Sequence, residues 1–130
     1  MFTQTLRLPE RQALLSLAIR LVHIDGDFHD AESARLRALR REMALPLDTE
    51  LPDEPIDDLP EPFTSPGARQ RVILVLLQVA AADDFFHPDE KTFIETVAQR
   101  LDIAVPQLEA MIVWTRQHNQ LVKAADVFLR

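Results

Sequence analysis

Asp25-Gly26-Asp27-Phe28-His29-Asp30-Ala31-Glu32 returns later in the chain as Asp83-Asp84-Phe85-Phe86-His87-Pro88-Asp89-Glu90, so one pattern, D-x-x-F-H-x-x-E, occurs twice, 58 residues apart. Four matches in eight positions do not establish a repeat, and the flanks decide it. At the same offset Leu14, Leu15, Leu17, Ile19 and Leu21 fall on Val72, Ile73, Val75, Leu77 and Val79. Beyond the motif, Leu36, Leu39, Met43 and Leu45 fall on Ile94, Val97, Leu101 and Ile103. Apolar residues that recur at helical spacing on both sides of each motif predict two helices joined by a turn, twice over. The fold expected is all-α, a compact bundle of about six or seven helices built from a duplicated helical hairpin.

Working outward, Pro9 suits the first turn of a helix reaching Ile24, with Gln12, Ser16, Arg20 and His23 as a narrow polar stripe on an apolar cylinder. A second helix, about 30–44, turns Leu36, Leu39 and Met43 inward and leaves Arg37, Arg40 and Arg41 to solvent. After Pro66-Gly67 a helix to about Ala82 is apolar on nearly every side, as the centre of a small bundle must be. Pro88 opens the next, carrying Phe93, Ile94, Val97 and Leu101. Pro106 opens another with Leu108, Met111, Ile112 and Trp114, and a final helix is expected from about Gln120 to Leu129 with Leu121, Ala125 and Phe128 on one side. No stretch alternates with period two over a useful length, so no sheet is expected.

Between the two halves the composition changes. Six of the nine prolines lie from Pro46 to Pro66, among seven acidic residues and no basic one. Proline blocks helix continuation, so this is a stiff acidic connector with turns and one short helical turn near Ile56 to Leu59. Leu51, Ile56, Leu59 and Phe63 give it apolar anchors. The organisation expected is one domain over 1–130: a first hairpin at about 9–45, the connector at 46–66, a second hairpin at about 67–103, and C-terminal helices at 105–130.

A chain of 130 residues that is 47% hydrophobic and 27% charged has the profile of one soluble globular unit. A formal charge of −7 argues against a nucleic-acid partner, because phosphate neutralisation needs a concentrated basic surface. The absence of cysteine removes disulfides and thiolate metal sites. Residues 1–7 lack the basic segment and apolar run of a secretory signal, and the apolar run 72–82 is too short to span a bilayer. A cytoplasmic location without membrane insertion is expected.

The motif has a plain reading as helix punctuation. With His29 and His87 as N-caps, Glu32 and Glu90 are third in their helices, where a carboxylate can accept from the N-cap backbone N–H and complements the helix dipole. Phe28 and Phe86 then serve as hydrophobic staples. N-caps favour Ser, Thr, Asp or Asn, so this account leaves the histidines over. It also leaves Asp25 and Asp83, acids near a negative helix end. A bound divalent cation relieves both difficulties and makes Asp25, His29, Glu32, Asp83, His87 and Glu90 the candidate metal ligands. Mixed oxygen and nitrogen donors suit zinc, manganese, nickel or iron better than calcium. An EF-hand is excluded by spacing, since counting from Asp25 puts Leu36 where a bidentate glutamate is required. Carboxylate-bridged dimetal bundles use Glu-x-x-His within helices, whereas the order here is His-x-x-Glu at helix starts.

These residues carry a resemblance. The first helix, the Asp25-Gly26 turn, Glu32 and the second copy from Asp83 to Glu90 resemble the TerB-like family, the tellurite-resistance proteins and their relatives, which include a domain attached to some membrane co-chaperones of the DnaJ type. The resemblance covers nearly the whole chain, with a short diagnostic part. It implies an all-helical bundle with pseudo-twofold repeats, a cytoplasmic role in stress response, and acidic residues holding a metal ion; residue by residue that role falls on Asp25, Glu32, Asp83 and Glu90. The second copy departs from the pattern in having Asp84 where the first has Gly26, the easier residue for a positive φ.

Arg35, Arg37, Arg40 and Arg41 form the only basic cluster, read either as a solvated face neutralised by the connector or as a docking surface for an acidic partner or lipid headgroups. Trp114 is expected in the core, with cover of an oligomer interface as the alternative, and His118 near a helix end, where the dipole accounts for it. No nucleophile–base pair is evident, and Gly26 and Gly67 alone cannot build a phosphate loop, so no enzymatic activity is expected. The reading that follows is a non-enzymatic, cytoplasmic TerB-like domain that binds a divalent metal at its two turns and serves a tellurite, metal or oxidative stress response. The alternatives are a protein-interaction module without metal and, third, a metal-dependent enzyme. A protein partner is expected in either of the first two, and a homo-oligomer stays open.

Overall fold

The computed structural model of the chain describes residues 2–24, 30–46, 51, 63–80 and 87–129, with the side chains of residues 30–32 outside that description. Among the described residues there are five helices and no strand: α1 Leu8–Val22, α2 Asp30–Glu42, α3 Pro66–Ala80, α4 Pro88–Arg100 and α5 Val105–Leu129. The connector's residues 47–50 and 52–62, including the turn expected near Ile56 to Leu59, lie outside the described residues.

α3 forms the centre and packs against α1, α2, α4 and α5, while α1 also meets α2 and α4. The sequence of α3 accounts for its place: Val72, Ile73, Val75, Leu76, Leu77 and Val79 are all buried, so apolar side chains leave the helix in every direction and neighbours must cover them all. One contiguous core runs from Leu6 through α1 and α3 to Leu108. Each fully buried leucine or isoleucine in it contributes roughly 1.5–3 kcal/mol relative to an exposed one. The connector's two described anchors behave as expected, with Phe63 fully buried and Leu51 packed against the core.

Each helix begins and ends for a local reason. Pro9 lies in the first turn of α1, and the Glu10 carboxylate accepts from the Arg7 N–H at 2.8 Å, satisfying a donor the helix cannot. Ser65 does this for α3 with its hydroxyl, which accepts from the Ala68 N–H at 3.1 Å. α2 and α4 end in one geometry. Ala44 and Asp102 adopt φ of 55° and 58°; the Leu45 N–H returns to the Arg40 carbonyl and the Ile103 N–H to the Ala98 carbonyl. Bonds spanning three residues run from the Ala44 N–H to the Arg41 carbonyl and from the Asp102 N–H to the Gln99 carbonyl. This is the Schellman termination, completed by Leu45 and Ile103, which turn inward and are buried.

The starts and ends keep a fixed offset. α1 and α3 start at residues 8 and 66, α2 and α4 at 30 and 88, and the left-handed residues are 44 and 102, so every pair is 58 residues apart.

The C-terminus differs from expectation. Five helices are present among the described residues, and the two expected after Pro106 are one helix, α5, of 25 residues. Between Gln107 and Leu129 there is neither glycine nor proline, and the polar run Arg116-Gln117-His118-Asn119 continues a helix as readily as it would end one. His118 is therefore mid-helix and its ring stacks on Trp114 at 5.1 Å and 12°, a contact that replaces the dipole account. Trp114 is not a core residue: it is 40% exposed and meets Phe2 edge-on at 5.8 Å.

Candidate functional site

The second motif copy can be followed from its histidine onward. His87 is extended (φ −60°, ψ 138°) and is the N-cap of α4, which Pro88 opens. Its Nδ1 accepts from the Asp89 N–H at 3.1 Å, so the ring supplies the oxygen-like acceptor that serine or aspartate supplies at most N-caps. Capping thus accounts for His87, which side-chain preferences alone set aside. The Asp89 carboxylate stands 3.8 Å from the same Nδ1.

Glu90, third in α4, is only 2% exposed. Its flanks in the helix, Asp89 and Lys91, face solvent, so α4 turns this one acid of its first turn inward, toward the side where Phe93, Ile94 and Val97 join the core. A carboxylate at that depth stays ionised only with hydrogen bonds or positive charge about it.

Of the other candidate ligands, Asp25, His29 and Asp83 lie outside the described residues, as do Phe28, Phe86, Gly26 and Asp84. Glu32 lies in the first turn of α2 and its side chain is outside the description. The structure thus brings His87 and Glu90 to one helix start, and among the described residues no three His, Asp or Glu side chains gather into a metal-binding group.

Two arginines that the motif reading did not include organise the same ends of the bundle. Arg11 on α1 donates from Nη1 to the Met43 carbonyl at 2.8 Å, at the C-terminus of α2. Arg69 on α3 donates from Nε to the Phe63 carbonyl at 2.9 Å, and its Nη1 lies 3.7 Å from the Asp102 carboxylate, just past α4. A guanidinium suits a helix C-terminus, where unsatisfied carbonyls concentrate negative potential. The two residues are identical and 58 positions apart, which is the signal by which the sequence could have shown them. Of the basic cluster, Arg37 and Arg41 are exposed, Arg40 donates to the Pro46 carbonyl at 3.0 Å, and Arg37 to the Ser33 hydroxyl at 3.1 Å. His23 sits at the end of α1 with Nδ1 2.8 Å from the Ile19 carbonyl. No helix among the described residues is long and apolar enough to cross a membrane.

With this arrangement in view, comparison with known families shows that residues 54–112 fit the family model of the tellurite resistance protein TerB. That segment is similar to the TerB family. The TerB match takes in α3, α4, the His87–Glu90 helix start and the first turns of α5. It does not reach the first motif copy, which rests on the internal correspondence with the matched segment. No curated protein and no solved structure matches the chain.

Proposed function

We propose that the chain is a duplicated helical hairpin whose two D-x-x-F-H-x-x-E turns hold a divalent metal ion, and that it serves a cytoplasmic response to tellurite, metal or oxidative stress without being an enzyme. Support for the duplication comes from the shared offset of helix bounds, left-handed terminators and paired arginines. Support for the stress role is the TerB match over 54–112.

The observation that carries the metal reading is Glu90, a buried carboxylate at a helix start seven residues after Asp83 in the sequence. In this reading the ion is held by the acids Asp25, Glu32, Asp83 and Glu90. His87 contributes by fixing the start of α4 through its cap. A metal held by such acids neutralises charge that the helix C-termini before each turn would otherwise repel. Metal analysis of protein purified without a histidine tag, with thermal melts in chelator and in zinc or manganese, tests this. A bound ion raises the melting temperature, and Asp25→Ala combined with Asp83→Ala removes the rise. Absence of any metal-dependent shift at millimolar divalent ion would falsify the proposal.

A second reading, an interaction module in which the motif only caps helices, is favoured by the capping bond of His87. It predicts the same stability in chelator and in metal.

A further inference from the structure

α2 concentrates positive charge in an acidic chain. Four of the fourteen basic residues of a chain with net charge −7 fall within positions 35–41. Arg40 donates to the Pro46 carbonyl, which leaves Arg35, Arg37 and Arg41, all exposed. Among the described residues no acid lies within ion-pair reach of these three. At about 100° per residue they border one face: exposed Ala34 and Ala38 form a low saddle between Arg37 and Arg41 on one flank and Arg35 on the other.

The saddle ends at a socket. Where α2, α3 and α5 meet there is a pocket of about 120 Å³ with an apolar floor of Ala38, Leu39, Val75 and Val79. On its rim Arg35, Gln78 and His118 can donate hydrogen bonds, and Glu42 is the single acid. The His118 ring is held there by its stack on Trp114. Cofactor and metabolite sites run from about 300 Å³ upward, so this pocket is too small for a cofactor and admits one aliphatic side chain.

We infer that this face docks an acidic peptide segment of a partner protein, one aliphatic side chain of which enters the socket while carboxylates on either side of it pair with Arg35 and with Arg37 and Arg41. Charge complementarity selects the acid, because three solvent-facing guanidiniums on one face attract anions that the chain as a whole repels. The socket selects a peptide, since a polyanion without aliphatic side chains leaves it empty. A membrane fits less well: no large apolar residue is exposed among the described side chains of α2 to enter the acyl layer. Glu42 stands about two turns beyond Arg35, which places the carboxylate nearest the anchor at the Arg35 end, away from Glu42. This inference gives the interaction-module reading a partner, and it uses neither His87 nor Glu90. Peptide titration in chelator and the metal-dependent melts therefore fail independently.

Fluorescence anisotropy of the full chain, with a labelled peptide in which one leucine lies between two runs of aspartate and glutamate, tests it. A Kd on the order of 10–100 µM is expected at about 50 mM salt, weakening by about tenfold at about 300 mM as the charges are screened. Alanine in place of the peptide's leucine, or Ala38→Leu in the protein, which fills the socket from within, should each weaken binding by at least about fivefold. Arg37→Glu combined with Arg41→Glu should abolish binding. Lys91→Glu combined with Arg116→Glu makes the same change of charge on α4 and α5 and should leave binding within about threefold. Circular dichroism should be unchanged in every variant, since all five side chains are exposed. No binding at millimolar peptide, equal binding of the leucine and alanine peptides, equal losses in the two charge variants, or binding to anionic phospholipid vesicles as tight as to the peptide would each overturn the inference.

Discussion

The α1–α2 pair and the α3–α4 pair have the same helix lengths, the same Schellman ends and the same apolar positions, yet among the described residues their helix starts and their arginines make different polar contacts. α1 starts on a carboxylate from inside the helix, Glu10, and α3 on a hydroxyl from outside it, Ser65. Arg11 closes the first pair on a backbone carbonyl, whereas Arg69 reaches a carbonyl and an exposed carboxylate, Asp102. The terminating residue is Ala44 in one and Asp102 in the other, neither of them glycine. The difference teaches that burial fixes where these helices lie, and that each polar contact is one of several chemical ways to satisfy an end whose position is already determined.

The comparison breaks most visibly in the core. Leu15 and Ile73 occupy equivalent positions and are at most 1% exposed, so Leu15→Ala and Ile73→Ala should each cost about 2–5 kcal/mol in urea denaturation. A loss well below 1 kcal/mol at either would mean the two pairs are not packed alike. Next come the arginines: Arg11→Met, which leaves the Met43 carbonyl without its charged donor, should cost about 1.5–3 kcal/mol. Asp102→Asn should change stability by less than about 1 kcal/mol, because its ion pair with Arg69 is largely solvated. If the two changes cost the same, the polar contacts are more alike than their geometry.

A smaller effect separates capping from other uses of the histidine. His87→Ala should lose about 0.5–2 kcal/mol, and His87→Asn should recover most of it because an amide oxygen can accept from the Asp89 N–H. Failure of asparagine to recover stability would give the ring a further role. Smallest, and of opposite sign, are the left-handed ends. Ala44→Gly and Asp102→Gly should each add up to about 1 kcal/mol by relieving a conformation that side chains resist. A loss at Ala44 would contradict the termination described for α2.

Much of this fold could be read from the chain because α1 to α4 are bounded by strong local signals: Pro9, Pro66 and Pro88 at starts and dense apolar spacing between. The continuity of α5 could not, since a polar run looks alike whether it ends a helix or lies on its solvent face, and only the absence of glycine and proline spoke for continuation. The left-handed ends are hidden for a related reason: alanine carries no sign of a positive φ, and aspartate only a weak one. At the site, Glu90 was placed correctly as the third residue of its helix. The capping role of His87 depends on a ring orientation that spacing does not encode, and the contacts of Arg11 and Arg69 depend on how one helix lies beside another.

The central claim is that the two turns act as equivalent metal-holding elements on a duplicated scaffold. Its most direct measurement is the thermal shift produced by zinc or manganese in the unaltered chain, in Asp25→Ala, in Asp83→Ala and in the double variant. The account predicts a rise of several degrees in the unaltered chain, a diminished rise in each single variant and none in the double variant. A rise that is the same in all four proteins, or absent from all four, would contradict it.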